Sequence, residues 1–208
     1  MEQLLHRLRY QDTPESRRVG LRDFSPLDGD VIVATPPKSG TTLLLQMLHV
    51  LRSGDDTSFD EINKDCIPCL EMAFDAGVSL DLDQRYAPRM FKTHAWFPDI
   101  PGNDNPAVKV VCVIRDPVKA AISFYHFLGN WFFSKDEIGI DEFVQQFVCK
   151  SRGEPNDYTQ NASIFHVIKS YYERRSDDRV MLVCYENLVN HKRVHTGTSR
   201  CDLYLHTG

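Results

Sequence analysis

A short loop at residues 35–42 contains the residue types that bind an oxyanion. It reads Thr35-Pro36-Pro37-Lys38-Ser39-Gly40-Thr41-Thr42. Lys38 supplies a mobile positive charge, and Gly40 allows a bound group to approach the backbone closely. Three hydroxyl donors accompany them, on Ser39, Thr41 and Thr42. The pattern predicts an oxyanion site at a strand-to-helix turn, where helix amides also point at the anion; an ordinary turn is the alternative interpretation.

This loop differs from the Walker P-loop, in which Gly-x4-Gly is followed directly by lysine. Here Lys38 precedes Gly40 by two residues. No carboxylate pair of metal-ligand type accompanies the loop, so we expect no metal. Loop geometry alone still allows a small ATP-dependent, kinase-like α/β enzyme that would use Mg²⁺.

Alternating strands and helices must position the loop. Apolar runs at residues 30–35, 108–114 and 179–185 predict buried strands. Apolar residues at helical spacing follow the first two runs, at Leu44, Met47, Leu48 and Leu51, and at Val118, Ala121, Ile122 and Tyr125. A third helix at residues 164–171 precedes the last strand. The alternation predicts an α/β fold with a three-layer arrangement, a parallel sheet flanked by helices. Residues 55–88 predict loops and short helices.

Three motifs in the same order resemble those of the cytosolic sulfotransferases. Residues 35–43 are similar to the family's Thr-Tyr-Pro-Lys-Ser-Gly-Thr-Thr-Trp, with Pro36 in place of the tyrosine and Leu43 in place of the tryptophan. The segment Pro88-Arg89-Met90-Phe91-Lys92-Thr93-His94 resembles Pro-Arg-x-x-Lys-Thr-His. Residues 113–127 resemble the family's 3′-phosphate segment, and residues 171–187 resemble its next helix and strand. The resemblance covers about residues 30–187.

The resemblance implies a P-loop-like sulfotransferase fold and a donor co-substrate, 3′-phosphoadenosine 5′-phosphosulfate (PAPS). It implies transfer of a sulfuryl group to a hydroxyl or amine of a small acceptor, such as a phenol, alcohol or amine, with no metal. His94 is the implied general base, since an imidazole pKa of about 6.5 suits proton transfer near neutral pH. Lys38 and Lys92 are implied to stabilise the leaving phosphate oxygen.

The same resemblance assigns binding roles. The implied donor-binding residues are Lys38, Ser39, Gly40, Thr41, Thr42, Arg115, Ser123 and Tyr185. Phe127 is the implied acceptor contact. Arg115 suits the ribose phosphate because its planar fork can hold two oxygens. Structural alternatives stay open, because a lone histidine or phenylalanine is more often packed than functional. The same applies to the nearby aromatic residues Trp96, Phe97, Trp131, Phe132 and Phe133.

The chain departs from the family pattern in two places. Leu43 removes the aromatic face on which adenine stacks, a change worth about 1–3 kcal/mol. The family's C-terminal helices and its Arg-Lys-Gly…Gly-Asp-Trp-Lys segment have no counterpart, so the C-terminal part of the fold is missing. We therefore expect an incomplete sulfotransferase domain at residues 1–190 and a poorly ordered, non-family tail at residues 191–208. A catalytically impaired, truncated nucleotide-binding protein is the alternative function.

Composition predicts one soluble globular domain. The 208 residues are 42% apolar and 25% charged, and the net charge of −5 disfavours a general affinity for nucleic acid or a membrane surface. Residues 1–18 mix charges with scattered leucines, so they resemble neither a signal peptide nor the roughly 20 apolar residues that span a bilayer. The six cysteines are dispersed. These features predict a cytoplasmic protein in a reducing compartment; they do not predict the oligomeric state.

A zinc module is a further alternative. Residues 191–197 contain His-x3-His followed by Thr-Gly, as in a zinc finger. The required cysteine pair is not at the right distance, because Cys66 and Cys69 lie about 120 residues upstream. The spacing therefore disfavours a zinc site.

Overall fold

Four parallel strands form the centre of the computed structural model, which describes residues 13–129, 131–134, 136–150 and 162–190. The strands are β1 (Val31–Ala34), β2 (Met90–Thr93), β3 (Lys109–Ile114) and β4 (Val180–Cys184). Their order across the sheet is β2-β1-β3-β4. The three predicted strands are confirmed with shorter bounds. A fourth strand, β2, lies within the motif at residues 88–94 and forms an edge of the sheet.

Helices surround the sheet. They are α1 (Pro14–Arg18), α2 (Thr41–Ser53), α3 (Pro117–Gly129), α4 (Ile140–Phe143), α5 (Ile164–Tyr172) and α6 (Tyr185–Asn190). Single π-helical turns span Val19–Asp23, Ile62–Cys66 and Val144–Val148, and a 3₁₀ turn spans Phe97–Asp99. Residues 55–88 form loops around one π-helical turn, as predicted. The α/β class of the fold is confirmed.

Alternating side chains on the strands pack against helices on both faces. On β1, Ile32 and Ala34 join one buried cluster, and Val33 joins another. The first cluster includes Tyr171 of α5, whereas the second includes Leu45 of α2. All five side chains are fully buried, so the sheet is the middle of three layers, as a parallel sheet requires.

A third apolar cluster supports α3, the helix on which two predicted site residues lie. Tyr125 packs against Phe143 of α4 with ring centres 5.5 Å apart, and its hydroxyl donates to the carbonyl of Ile138 at 2.8 Å. At the other end of α3, Asp116 accepts from the backbone N–H of Val118 at 2.8 Å. This contact caps the helix and fixes where α3 begins after β3.

A buried ion pair joins the beginnings of β1 and β2. Arg89 donates through Nε and Nη2 to the two carboxylate oxygens of Asp30, at 2.9 and 2.6 Å. Both side chains are largely buried, so the pair is bidentate and shielded. The arginine of the second motif therefore aligns two strands at the end opposite their carboxyl termini.

One local expectation is corrected. Tyr185 is the first residue of α6, not the last residue of a strand. Of the two cysteines in the strands of the sheet, Cys184 is half-buried and its thiol donates to Glu186 at 3.2 Å, whereas Cys112 is a core residue. The tail at residues 191–208, with its histidine pair, lies outside the described residues. Within the described part of the chain, no helix is long and apolar enough to span a membrane.

Candidate functional site

The carboxyl ends of the four strands bring the predicted site residues to one edge of the sheet. Thr35 follows β1, His94 follows β2, Arg115 follows β3 and Tyr185 follows β4. Because β2 and β3 lie on opposite sides of β1, the connections diverge there. Open α/β sheets bind ligands at such a switch point.

His94 belongs to a hydrogen-bonded group that we call the base end of the site: Thr35, Glu71, Thr93 and His94. Nδ1 of His94 lies 2.7 Å from the carbonyl oxygen of Thr35. A carbonyl only accepts, so Nδ1 carries the hydrogen and Nε2 keeps its lone pair. The backbone N–H of His94 and the hydroxyl of Thr93 both donate to Oε1 of Glu71, at 2.6 and 2.7 Å. The Thr35 carbonyl thus selects the tautomer that can accept a proton at Nε2, while Glu71 holds the backbone that carries the ring.

The surroundings keep His94 neutral. Burial lowers the pKa of His94 well below its ordinary value of 6.5, and the positive charge of Lys92 lowers it further. The carboxylate of Glu71 acts in the opposite direction but does not reverse the shift. Burial alone would raise the pKa of Glu71; the positive charge of Arg17 and the hydrogen bonds donated by the His94 backbone N–H and the Thr93 hydroxyl act in the opposite direction, and the pKa of Glu71 is lowered. A neutral imidazole beside an ionised carboxylate is suited to general base catalysis.

Sequence reasoning missed Glu71. This side chain is only 4% exposed, and it lies in the segment predicted merely as loops and short helices. A signal was present, because Glu71 stands between Ile67-Pro68-Cys69-Leu70 and Met72-Ala73-Phe74. A single carboxylate within an apolar run indicates a buried charge that needs partners.

A second group, the arginine end, comprises Lys38, Gly40, Arg115 and Tyr185. Nη1 of Arg115 donates to the carbonyl oxygen of Lys38 at 3.0 Å, and its guanidinium carbon lies 4.5 Å from the centre of the Tyr185 ring. A Cβ at Gly40 would lie 2.3 Å from Cδ2 of Tyr185, and φ at Gly40 is +100°. Glycine is therefore required by both the ring contact and the left-handed backbone.

The side chain of Lys38 reaches from the loop to α3. Its Nζ lies 4.0 Å from the centre of the Phe127 ring, a cation–π contact. Burial and the charge of Arg115 lower the pKa of Lys38. The structure thus brings a predicted donor-binding cation against the predicted acceptor contact, and Phe127 keeps 41% of its surface exposed.

Two buried polar atoms beside the loop fit an anion. Ser39 is fully buried, yet its Oγ finds no hydrogen-bond partner within the described residues, and the same is true of Nε of Arg115. Unpaired buried donors are unfavourable unless a ligand completes them. Thr41, in contrast, is already engaged, with its Oγ1 2.6 Å from Oγ1 of Thr35. The residues present therefore fit a phosphate or sulfate group.

The remaining predicted residues differ in their exposure. Lys92 is 8% exposed and pairs with Val33 in the sheet. Ser123 is half-buried on α3, and Thr42 is exposed at the start of α2. No hydrogen bond joins either of these two hydroxyls to Arg115 in the part of the chain that the structure describes. Of the aromatic candidates, Phe97 and Phe133 are core residues and Trp131 is 75% exposed.

Comparison with known sequences gives one family. A sequence model described as a sulfotransferase domain matches residues 28–195. Rabbit (Oryctolagus cuniculus) amine sulfotransferase is 28% identical over 174 residues, which is 81% of this chain and 54% of the relative. Human sulfotransferase 4A1 is 27% identical over 81% of this chain and 57% of the relative. The chain therefore spans about half the length of these curated relatives.

Solved structures share the fold at low identity. Mouse sulfotransferase SULT7A1, complexed with PAP (adenosine 3′,5′-bisphosphate), superposes with a TM-score of 0.61 at 20% identity. The match covers 85% of this chain and 58% of that one. An Arabidopsis thaliana putative steroid sulphotransferase gives a TM-score of 0.64 at 23% identity, over 88% and 64%. Retinol dehydratase in complex with retinol and PAP gives 0.59 at 18% identity, over 85% and 60%.

Proposed function

Because this chain belongs to the sulfotransferase domain family, we propose that it transfers a sulfuryl group from PAPS to a hydroxyl or amine of a small acceptor. One observation supports this function most strongly. The hydrogen bond from Nδ1 of His94 to the Thr35 carbonyl leaves Nε2 as a proton acceptor at the same sheet edge as Lys38 and Arg115. A base and two cations at one edge are the groups that sulfuryl transfer needs.

The loop and the arginine end would hold the donor. When bound, PAPS supplies the sulfuryl group and a 5′-phosphate that departs from it. Lys38 and the unpaired hydroxyl of Ser39 would bind the phosphosulfate, with the amides at the start of α2. Arg115 would bind the 3′-phosphate through its fork, in which Nε has no partner among the described residues. Ser123 and Tyr185 would complete that part of the site.

His94 would remove the acceptor proton. As a bond forms between the acceptor atom and sulfur, Nε2 takes the proton, and the bond between sulfur and the bridging oxygen breaks. The electron pair of that bond goes to the 5′-phosphate oxygen, where Lys38 and Lys92 would stabilise the developing charge. Phe127, beside Lys38, would contact the acceptor. Positioning and electrostatics dominate this type of reaction.

A second candidate is a nucleotide-binding protein without turnover. Leu43, which stands where the family resemblance places an adenine-stacking tryptophan, favours it. The kinase-like alternative is less well supported, because the family match concerns sulfotransferases.

Two measurements on the full chain separate these functions. Calorimetry with adenosine 3′,5′-bisphosphate (PAP), without metal, measures donor-site affinity, with ATP and Mg²⁺ as the comparison. Transfer of labelled sulfate from PAPS to phenols, alcohols and amines measures turnover. Metal-free PAP binding with transfer supports the sulfotransferase, binding without transfer selects the inactive protein, and preference for ATP with Mg²⁺ contradicts both.

A further inference from the structure

We propose that Glu71 is a positioning residue for proton transfer, which holds His94 in its accepting tautomer and stabilises the imidazolium that forms. The inference rests on the proposed function of His94 as base. Glu71 does not lie in any of the three sulfotransferase-like motifs, and the proposed function gives its carboxylate no role in binding the donor.

The contacts of Glu71 show how it would act. Its Oε1 accepts from the backbone N–H of His94 and from the Thr93 hydroxyl, at 2.6 and 2.7 Å. Its Oε2 accepts from the thiol of Cys69 at 3.4 Å. The chain just after β2 is thereby fixed on one side by Glu71, while the imidazole is fixed on the other by the Thr35 carbonyl. Loss of the Glu71 contacts would release the ring from that carbonyl.

Charge gives Glu71 a second effect. The charged groups that face His94 are Lys92 on β2, Arg17 on α1 and Glu71 itself. Two of these are cations that oppose protonation of the imidazole. Glu71 is the carboxylate that favours it, so removing its charge makes His94 a weaker base. The Cys69 thiol does not replace that charge, since burial raises the pKa of Cys69 to about 12.

A segment that precedes the family match contributes to this arrangement. Arg17 is buried in α1, upstream of residue 28, and its charge lowers the pKa of Glu71. Thr13, which caps α1, also links it to the chain after Glu71, because its backbone N–H and its hydroxyl donate to the carboxylate of Asp75 at 2.8 and 2.7 Å. Close by, a Cβ at Gly20 would lie 1.8 Å from the carbonyl oxygen of Leu70. The absence of a side chain at Gly20 therefore lets the π-helical turn after α1 lie directly against the residue that precedes Glu71.

Nuclear magnetic resonance of isotope-labelled histidine tests the proposal directly. In the wild-type chain we expect the His94 imidazole to carry its hydrogen on Nδ1. In Glu71→Gln we expect a mixture of tautomers and a lower imidazole pKa than in the wild type. Glu61→Gln, the same change on an exposed residue ten positions earlier, is the matched control and should leave both properties unchanged. Identical His94 signals in wild type and Glu71→Gln would overturn the proposal.

Kinetics give the second readout. With PAPS and an accepted alcohol or phenol, Glu71→Gln should lower kcat at least about 10-fold and change KM and PAP affinity less than about 2-fold. If Glu71→Gln does not fold, Thr93→Val is tested instead. It keeps the Glu71 carboxylate but removes the hydroxyl that donates to Oε1. Wild-type tautomer and kcat in Thr93→Val would then overturn the proposal. Absence of transfer in the wild type contradicts the proposed function instead, while the resonance measurement still decides the role of Glu71.

Discussion

The base end and the arginine end of the site are held in different ways. Three hydrogen bonds of 2.6–2.7 Å fix the base end, and each involves the backbone next to β1 or β2 or the buried carboxylate of Glu71. At the arginine end, the guanidinium of Arg115 is held by a hydrogen bond to the Lys38 carbonyl at 3.0 Å and by a contact with the Tyr185 ring at 4.5 Å. Ser39 and Arg115 there keep polar atoms without partners among the described residues.

On the proposed function, this difference means that the two ends have separate tasks. The hydrogen bonds of the base end form without a ligand, so His94 would need no rearrangement to accept a proton. The arginine end has unpaired donors and close ring packing, as expected of a site that an anion completes. Substitutions at the base end should therefore change turnover, whereas substitutions at the arginine end should change donor affinity.

The largest expected effect is on the base. His94→Asn keeps an N–H donor for the Thr35 carbonyl but removes Nε2. We expect sulfate transfer to fall about 10²- to 10⁴-fold, the usual contribution of a general base, with PAP affinity nearly unchanged. Transfer assays and calorimetry on the same protein check this. Equal losses of transfer and of PAP affinity would show that the two ends do not have separate functions.

Arg115→Met should have the next largest effect, on affinity. Removal of a cation that is paired with a phosphate in a partly buried site costs about 2–4 kcal/mol, roughly 30- to 1,000-fold in Kd for PAP. Arg85→Met is the control, since the Arg85 side chain is 73% exposed. An unchanged Kd in Arg115→Met, measured by calorimetry, would remove Arg115 from the donor site.

Gly40→Ala tests the packing of the arginine end. The new methyl group would displace the Tyr185 ring, which lies over Arg115, so PAP affinity should fall about 10-fold, or 1.4 kcal/mol. Gly54→Ala is the matched control, because Gly54 also has a positive φ, of +69°, but no atom lies within 4 Å of the place its new methyl group would take. Both variants should lose stability in thermal melts; equal PAP affinities would contradict a role for the Tyr185 contact.

Leu43→Trp tests the donor site with a substitution that should strengthen binding rather than weaken it. The family resemblance places an adenine-stacking tryptophan at this position, and Leu43 is half-buried at the start of α2. Restoring the ring should tighten PAP binding by about 1 kcal/mol, roughly fivefold, without changing kcat. Weaker or equal binding in a titration would show that adenine does not stack there.

The smallest effect concerns pH. Burial and Lys92 lower the pKa of His94, so the neutral base persists below pH 6.5. The acidic limb of the kcat profile should therefore lie below pH 6.5, and kcat should hardly change between about pH 7.5 and 6.5. Glu71→Gln should move that limb to still lower pH. A limb at or above pH 6.5 in the wild type would contradict this description of the base.

Local patterns in the sequence predict the parts of the fold that depend on local chemistry. The apolar run at residues 108–114 predicts β3, and the helical spacing of apolar residues from Val118 to Tyr125 predicts α3. The loop at residues 35–42 is predicted because its lysine, glycine and hydroxyl residues are adjacent in sequence. The roles of these residues in the reaction stay predictions.

Long-range contacts account for what the sequence did not predict. Glu71 reaches His94 only because the Cys69 segment pairs beside Lys92 of β2, a contact across more than twenty residues. Gly20 and Leu70, which lie close together in the structure, are fifty residues apart in the sequence. No periodic pattern in the sequence indicates that contact. Tyr185 was expected at a strand end, but its backbone already begins α6, so its ring lies against Gly40.

On the proposed function, the base end and the arginine end serve one transfer reaction, in which the first takes the acceptor proton and the second holds the donor. The most direct measurement is transfer of labelled sulfate from PAPS by the wild-type chain and by His94→Asn, each at a PAPS concentration that saturates its PAP site. We predict transfer by the wild type and its loss in a variant that still binds PAP. Equal transfer by both proteins would contradict the account.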